Sequence, residues 1–70
     1  MKTESEVRAL IKKITEDNAH VLNTAPASVV INAPRALIQV AAKSQLSALY
    51  GILNEERPVF ACDDYTKLDQ

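Results

Sequence analysis

The sequence predicts a mainly α-helical fold: a hairpin of two long amphipathic helices, at about residues 3–22 and 34–54, with a short middle segment between them and a C-terminal tail after them. Three observations carry that prediction. Thr3-Glu4-Ser5-Glu6 is a helix-start signature, apolar residues recur at helical spacing in both segments, and the nineteen residues between Arg35 and Glu55 hold a single charge, Lys43. Seventy residues make one domain, 1–70. A chain near 60 residues buries only about 60% of the surface its unfolded form exposes, so small folds lean on disulfides, metals or oligomers. Cys62 is the only cysteine and His20 the only histidine, which excludes an intrachain disulfide and a Cys/His zinc set. Association between copies is the support that remains.

In the first helix, Thr3 and Glu6 fit a capping box, the hydroxyl accepting from the backbone three residues on while the carboxylate reaches back. Val7, Leu10, Ile11, Ile14, Val21 and Leu22 share one arc about 120° wide at 100° per residue, the width of a core-facing stripe. Asn18 falls inside that arc as a seam residue, Glu4 precedes Arg8 at the favourable spacing, and His20 stands near the C-terminal end, where a cation suits the dipole.

Two prolines interrupt the pattern. Thr24-Ala25-Pro26 and Asn32-Ala33-Pro34 both read as helix starts, since proline is tolerated in a first turn. Between them, Val29-Val30-Ile31 suits a short strand or one helical turn, with its side chains expected to be buried in either case.

On the second helix Leu37, Ala48, Ala41, Ile52, Gln45, Ile38, Leu49, Ala42, Leu53 and Leu46 fill about 180° of the wheel, with Gln39, Lys43, Ser44, Ser47 and Tyr50 opposite. Gly51, on the polar side, weakens or frays the helix by about 1 kcal/mol relative to alanine. Pro58 ends the pattern, Val59–Cys62 is an extended apolar run able to cover an end of the core, and residues 63–70 read as a frayed acidic tail. An α+β alternative takes short strands near 28–31 and 59–62 as a βαβ unit that pools its strands in a dimer.

An arc of about 180° is wider than a 120° stripe can cover. The excess predicts a homodimer, most simply a dimeric four-helix assembly, whose interface draws on Leu37, Ile38, Ala41, Ala42, Gln45, Leu46, Ala48, Leu49, Ile52 and Leu53. Gln45, at the midpoint of 36–54, would meet its mate across a two-fold axis, or else lie at the edge of the core with its amide in water.

A formal net charge of −1 and a pI near 5.7 give no electrostatic case for nucleic acid or a membrane surface. The chain lacks a secretory-type apolar start, and 36–54 is too polar to span a bilayer, so a cytoplasmic protein is expected. No catalytic, cofactor-binding or metal-ligating set stands out: Cys62 reads as a small buried apolar residue, Glu55-Glu56 and Asp63-Asp64 as solvated charge, and one glycine makes no phosphate loop. So small a domain is also expected to have little room for a pocket. The expected function is a small non-enzymatic interaction or regulatory protein with a protein partner, in the manner of bacterial and phage accessory proteins.

One motif points elsewhere. Ala41-Ala42-Lys43-Ser44-Gln45-Leu46-Ser47 resembles the Ala-Ala-x-x-x-Leu-Ser run at the turn of helix-turn-helix DNA-binding domains, which implies a DNA-binding regulator using residues 40–56. The resemblance covers about a dozen residues. Gln45 stands where that family often has a turn glycine, and the would-be recognition helix, Ser47 to Glu56, has no Lys or Arg for phosphate contacts.

Overall fold

In a computed structural model of the chain, which describes residues 3–67, Thr3 caps the first helix in both directions. Its hydroxyl accepts from the Glu6 N–H at 3.2 Å, and the Glu6 carboxylate accepts from the Thr3 N–H at 3.4 Å. The helix so started, α1, runs over Glu4–Asp17. It does not continue unbroken to residue 22, because the Asn18 side chain competes with the backbone: its Nδ2 donates to the Ile14 carbonyl at 2.8 Å, beside the Asn18 N–H on the same oxygen at 3.1 Å. The Asn18 carbonyl then accepts from Val21 and Leu22 and restarts a short α2, Ala19–Leu22. All six apolar residues of the expected stripe still point inward, Val7, Ile11, Val21 and Leu22 fully and Leu10 and Ile14 partly.

Of the two proline motifs only the second starts a helix. Asn32 accepts from the Arg35 N–H at 3.3 Å, Pro34 lies in the first turn, and α3 spans Ala33–Ile52. The first, Thr24-Ala25-Pro26, is irregular chain with Pro26 buried. Among the described residues there is no strand, which removes the α+β alternative. Residues 29–31 form a turn closed on Ser28, whose carbonyl accepts from the Ile31 and Asn32 N–H groups and whose hydroxyl accepts from that of Val30. With its backbone satisfied locally, that segment needs no sheet partner, and Val29, Val30 and Ile31 stand exposed rather than buried. Residues 59–62 lead instead into a 3₁₀ turn, Ala61–Asp63, followed by another at Tyr65–Lys67.

The hairpin itself is present, and it is antiparallel. Arg8 near the start of α1 meets Glu55 just past the end of α3 at 2.7 Å, while the Val21 carbonyl meets Gln39 near the start of α3 at 3.0 Å. Asn54 closes α3 in a Schellman motif at φ 59°: its N–H reaches the Gly51 carbonyl at 3.0 Å, and the Glu55 N–H reaches that of Tyr50 at 2.9 Å. Val7, Ile11, Leu22, Ala42, Leu46 and Cys62 form the core, with Ile14, Leu49, Tyr50, Leu53 and Phe60 packed against it. No helix among the described residues is long and apolar enough to cross a membrane.

Candidate functional site

Which side of α3 faces the core is decided by two polar side chains. Gln39 is only 2% exposed, and its amide staples the preceding loop to the helix: Nε2 donates to the carbonyls of Val21 at 3.0 Å and Ala25 at 3.1 Å, and Oε1 accepts from the Ala27 N–H at 2.8 Å. Lys43, one helical turn on, is 9% exposed. Its ammonium donates to the Tyr65 hydroxyl at 2.7 Å and to the Cys62 carbonyl at 3.3 Å, and lies 3.7 Å from the Asp63 carboxylate. Burial works against this charge, the hydrogen bond to Tyr65 works for it, and the net displacement of its pKa is upward.

Asp63 holds the other end of the cluster. Arg57 clamps it with two bonds of 2.7 Å, and the Phe60 N–H adds a third at 2.8 Å. The Arg57 bonds, opposed by partial desolvation and reinforced by the Phe60 N–H and the charges of Arg57 and Lys43, hold its carboxyl well below the usual carboxylate range. The described part of the expected tail is therefore anchored through Asp63 and Tyr65; residues 68–70 lie outside the described residues. Cys62 is fully buried, and desolvation pushes its thiol up, away from the nucleophilic thiolate.

With Gln39 and Lys43 inside, the inward arc of α3 runs from Leu49 through Leu46 and Gln39 to Ala36. At 100° per residue this is rolled by roughly 100° from the apolar arc the wheel defines. The ten residues expected at the interface divide accordingly. Ala42 and Leu46 are consumed in the core, and Leu49 and Leu53 pack half-buried against it. Leu37, Ile38, Ala41, Gln45, Ala48 and Ile52 face outward, with Leu37 62% and Ile52 67% exposed. Tyr50, on the expected polar side, packs at the core edge, whereas Gln45 lies in solvent.

The outcome is unusual in charge. Lys43 is the only charged residue between Arg35 and Glu55, and it is folded inward, so the outer face of α3 over Leu37–Ile52 carries no charge at all. Phosphate contacts have nothing to hold there. The helix also passes unbroken through Ser44–Ser47, so the expected helix-turn-helix alternative has no turn.

Sequence reasoning missed Gln39 and Lys43. A lone charge inside a long uncharged run is the signal that could have found Lys43, since a lone charge that does not face water must meet an opposite one, and Asp63 is available. An open surface depression of about 630 Å³ lies between the end of α3 and the segment that follows, lined by Ser47, Gly51, Glu55, Glu56, Arg57, Val59 and Asp63. A second, of about 310 Å³, lies beside Tyr50 and α1. No group of three His, Cys, Asp or Glu residues that could hold a metal ion occurs among the described residues. Compared with protein-family models, curated proteins and solved structures, the chain matches none.

Proposed function

We propose that this is a small non-enzymatic interaction protein whose working form is a homodimer closed over the outer face of α3, and that the dimer acts by binding another protein, as small accessory proteins of bacteria and phages do. The observation behind this reading is the uncharged outer face, about 100° of which, from Leu37 round to Ile38, is apolar apart from Gln45. A contiguous apolar patch of about 500 Å² matches the largest patch on an ordinary monomer, and such patches often serve as contact sites.

The face is also self-complementary. Ile38 and Ile52 stand seven residues to either side of Gln45, with Ala41 and Ala48 nearer to it. A two-fold antiparallel pairing about Gln45 sets Ile38 against Ile52 and Ala41 against Ala48, and the alanines let the helices approach closely. Two such faces bury on the order of 1,000 Å² in total, about the lower bound for a specific interface. The Val29–Ile31 turn, exposed just before the start of α3, offers a second apolar patch to a different protein.

Sedimentation equilibrium at tens of micromolar is expected to return the dimer mass, and Ile52→Arg the monomer mass with its helical circular dichroism intact. Ile52 is preferable to Leu49 here, because Leu49 packs on the core and its replacement confounds folding with assembly. A monomeric wild type at that concentration removes the proposal.

A further inference from the structure

The two glutamines of α3 have opposite surroundings. Gln39 commits its amide to three backbone groups, whereas the amide of Gln45 bonds to nothing among the described residues and lies in solvent. Gln45 is nevertheless inside the apolar arc, with Leu37, Ala48, Ala41 and Ile52 to one side of it on the wheel and Ile38 to the other, all exposed. On a monomer such a residue needs no reason. Inside a face that becomes a contact it does, because donor and acceptor are both desolvated there and each needs a partner.

We infer that the Gln45 side chains of two copies pair across the two-fold axis, each Nε2–H donating to the Oε1 of the other, and that this polar pair fixes the register of the dimer. The inference deepens the dimer reading above and rests on it. At 1.5 Å per residue, Ile38 and Ile52 lie about 10.5 Å to either side of Gln45, Ala41 about 6 Å before it and Ala48 about 4.5 Å after it. An axis level with Gln45 therefore sets like side chains opposite one another. A two-fold perpendicular to both helices reverses height and preserves flank, so it also brings Gln45 face to face with Gln45 of the second copy. With helix axes about 8–10 Å apart, the two side chains are long enough to lay amide against amide. An axis displaced along the helix instead presses each amide on Ala41 or Ala48, or farther off on Ile38 or Ile52, none of which has a side-chain donor or acceptor. An interface of about 1,000 Å² has little surplus to carry two unpartnered amides. A second copy is the fitting occupant because an amide is its own complement, and one polar residue in an apolar helix contact is a known device for specifying register.

The test uses the full chain and reads the dimer dissociation constant by sedimentation equilibrium. Gln45 is exposed in the monomer, so its variants are expected to keep their helical circular dichroism. Gln45→Glu and Gln45→Lys each confront like charges and are each expected to weaken the dimer about tenfold or more. Their equimolar mixture is expected to recover affinity to within about threefold of the wild type, because only on the two-fold does a residue meet its own copy. Charged variants that dimerise like the wild type place Gln45 outside the contact, and a mixture no tighter than its components places it off the axis. Either result overturns the inference while leaving the dimer reading intact. Ala41→Cys and Ala48→Cys report the orientation: mixed and oxidised, they are expected to form a disulfide-linked dimer that neither forms alone, with the native Cys62 fully buried and out of reach. Self-linking of Ala41→Cys shows a parallel pair and overturns this axis. A wild type that remains monomeric removes both readings.

Discussion

Replacing Gln39 by leucine should cost the fold about 2 kcal/mol, a sizeable fraction of what a domain of this size has. The glutamine amide joins α3 to the chain between Val21 and Ala27 through three backbone groups at once, and two of those bonds, to the Val21 carbonyl and the Ala27 N–H, are buried. In the variant only the Ala27 N–H is left without a partner, at roughly 1–3 kcal/mol, because the Val21 carbonyl keeps the Thr24 hydroxyl at 3.0 Å and the Ala25 carbonyl keeps the Arg35 guanidinium at 3.0 Å. The two lost carbonyl bonds add about 0.5 kcal/mol each, and the apolar leucine returns about 1 kcal/mol through its own burial. At about 0.05–0.15 kcal/mol per residue the whole chain is stable by about 4–10 kcal/mol, so the variant should still fold, with a clearly lowered unfolding midpoint. Urea unfolding followed by far-UV circular dichroism at fixed protein concentration is the assay, since any dimer makes stability concentration-dependent. Gln45→Leu is the control, the same change on the same helix at an exposed site, expected to leave monomer stability within about 0.5 kcal/mol. If Gln39→Leu unfolds at the wild-type midpoint, or both variants shift alike, the loop is not held by this amide.

Asp63→Asn keeps the shape of the Arg57 clamp but removes the charge facing Arg57 and Lys43, and should cost about 2 kcal/mol at pH 7 by thermal or urea unfolding. The pH dependence follows from the lowered carboxyl pKa: its stabilising contribution is complete above the unfolded value of about 4 and drains away as pH falls through the folded one, so acid unfolding should be less steep in the asparagine variant. Equal acid slopes would show that other carboxylates dominate. Asn54→Ala should destabilise by about 1 kcal/mol because alanine resists the positive φ, whereas Asn54→Gly should gain a few tenths; an indifferent alanine would mean the motif frays. Thr3→Ala should cost about 1 kcal/mol through the capping box, and an unchanged unfolding midpoint would show the first turn already open.

The parts of the fold legible in the sequence are those carried by local chemistry. Thr3 and Glu6 mark one helix start and Asn32 and Pro34 another, because caps and prolines act within three or four residues; the end of α3 is set by Asn54, ahead of Pro58, and not by the proline. The stripe along α1 and α2 is legible for a related reason: Val7, Ile11, Val21 and Leu22 meet no competing claim on that face. The roll of α3 is not legible. Its apolar side chains, taken alone, favour burying Leu37 and Ile52, but the helix turns according to where Gln39 and Lys43 find partners, and those partners lie 18 and 22 residues away at Val21 and Tyr65. Val29–Ile31 misleads in the same way, its β-branched run promising burial while Ser28 closes the backbone without any distant neighbour. The candidate site inherits that error: six of its ten expected residues are on the outer face and four are in or against the core.

The dependence of α3 on Asp63 and Tyr65 has a consequence for a chain that emerges from the ribosome N-terminus first. α1 and α3 are complete by Ile52, about ten residues before the counter-ion and hydroxyl that receive Lys43. Gln39 finds its partners at Val21, Ala25 and Ala27, all of which precede α3, so one of the two polar anchors is available as soon as the helix forms. Lys43 turned inward without Asp63 and Tyr65 would bury a charge with nothing opposite, so the second anchor is complete only once the last stretch of chain is in place. The inward face of α3 is thus held from both sides of the sequence, and losing the chain after Phe60 would strand Lys43 while leaving the Gln39 staple intact.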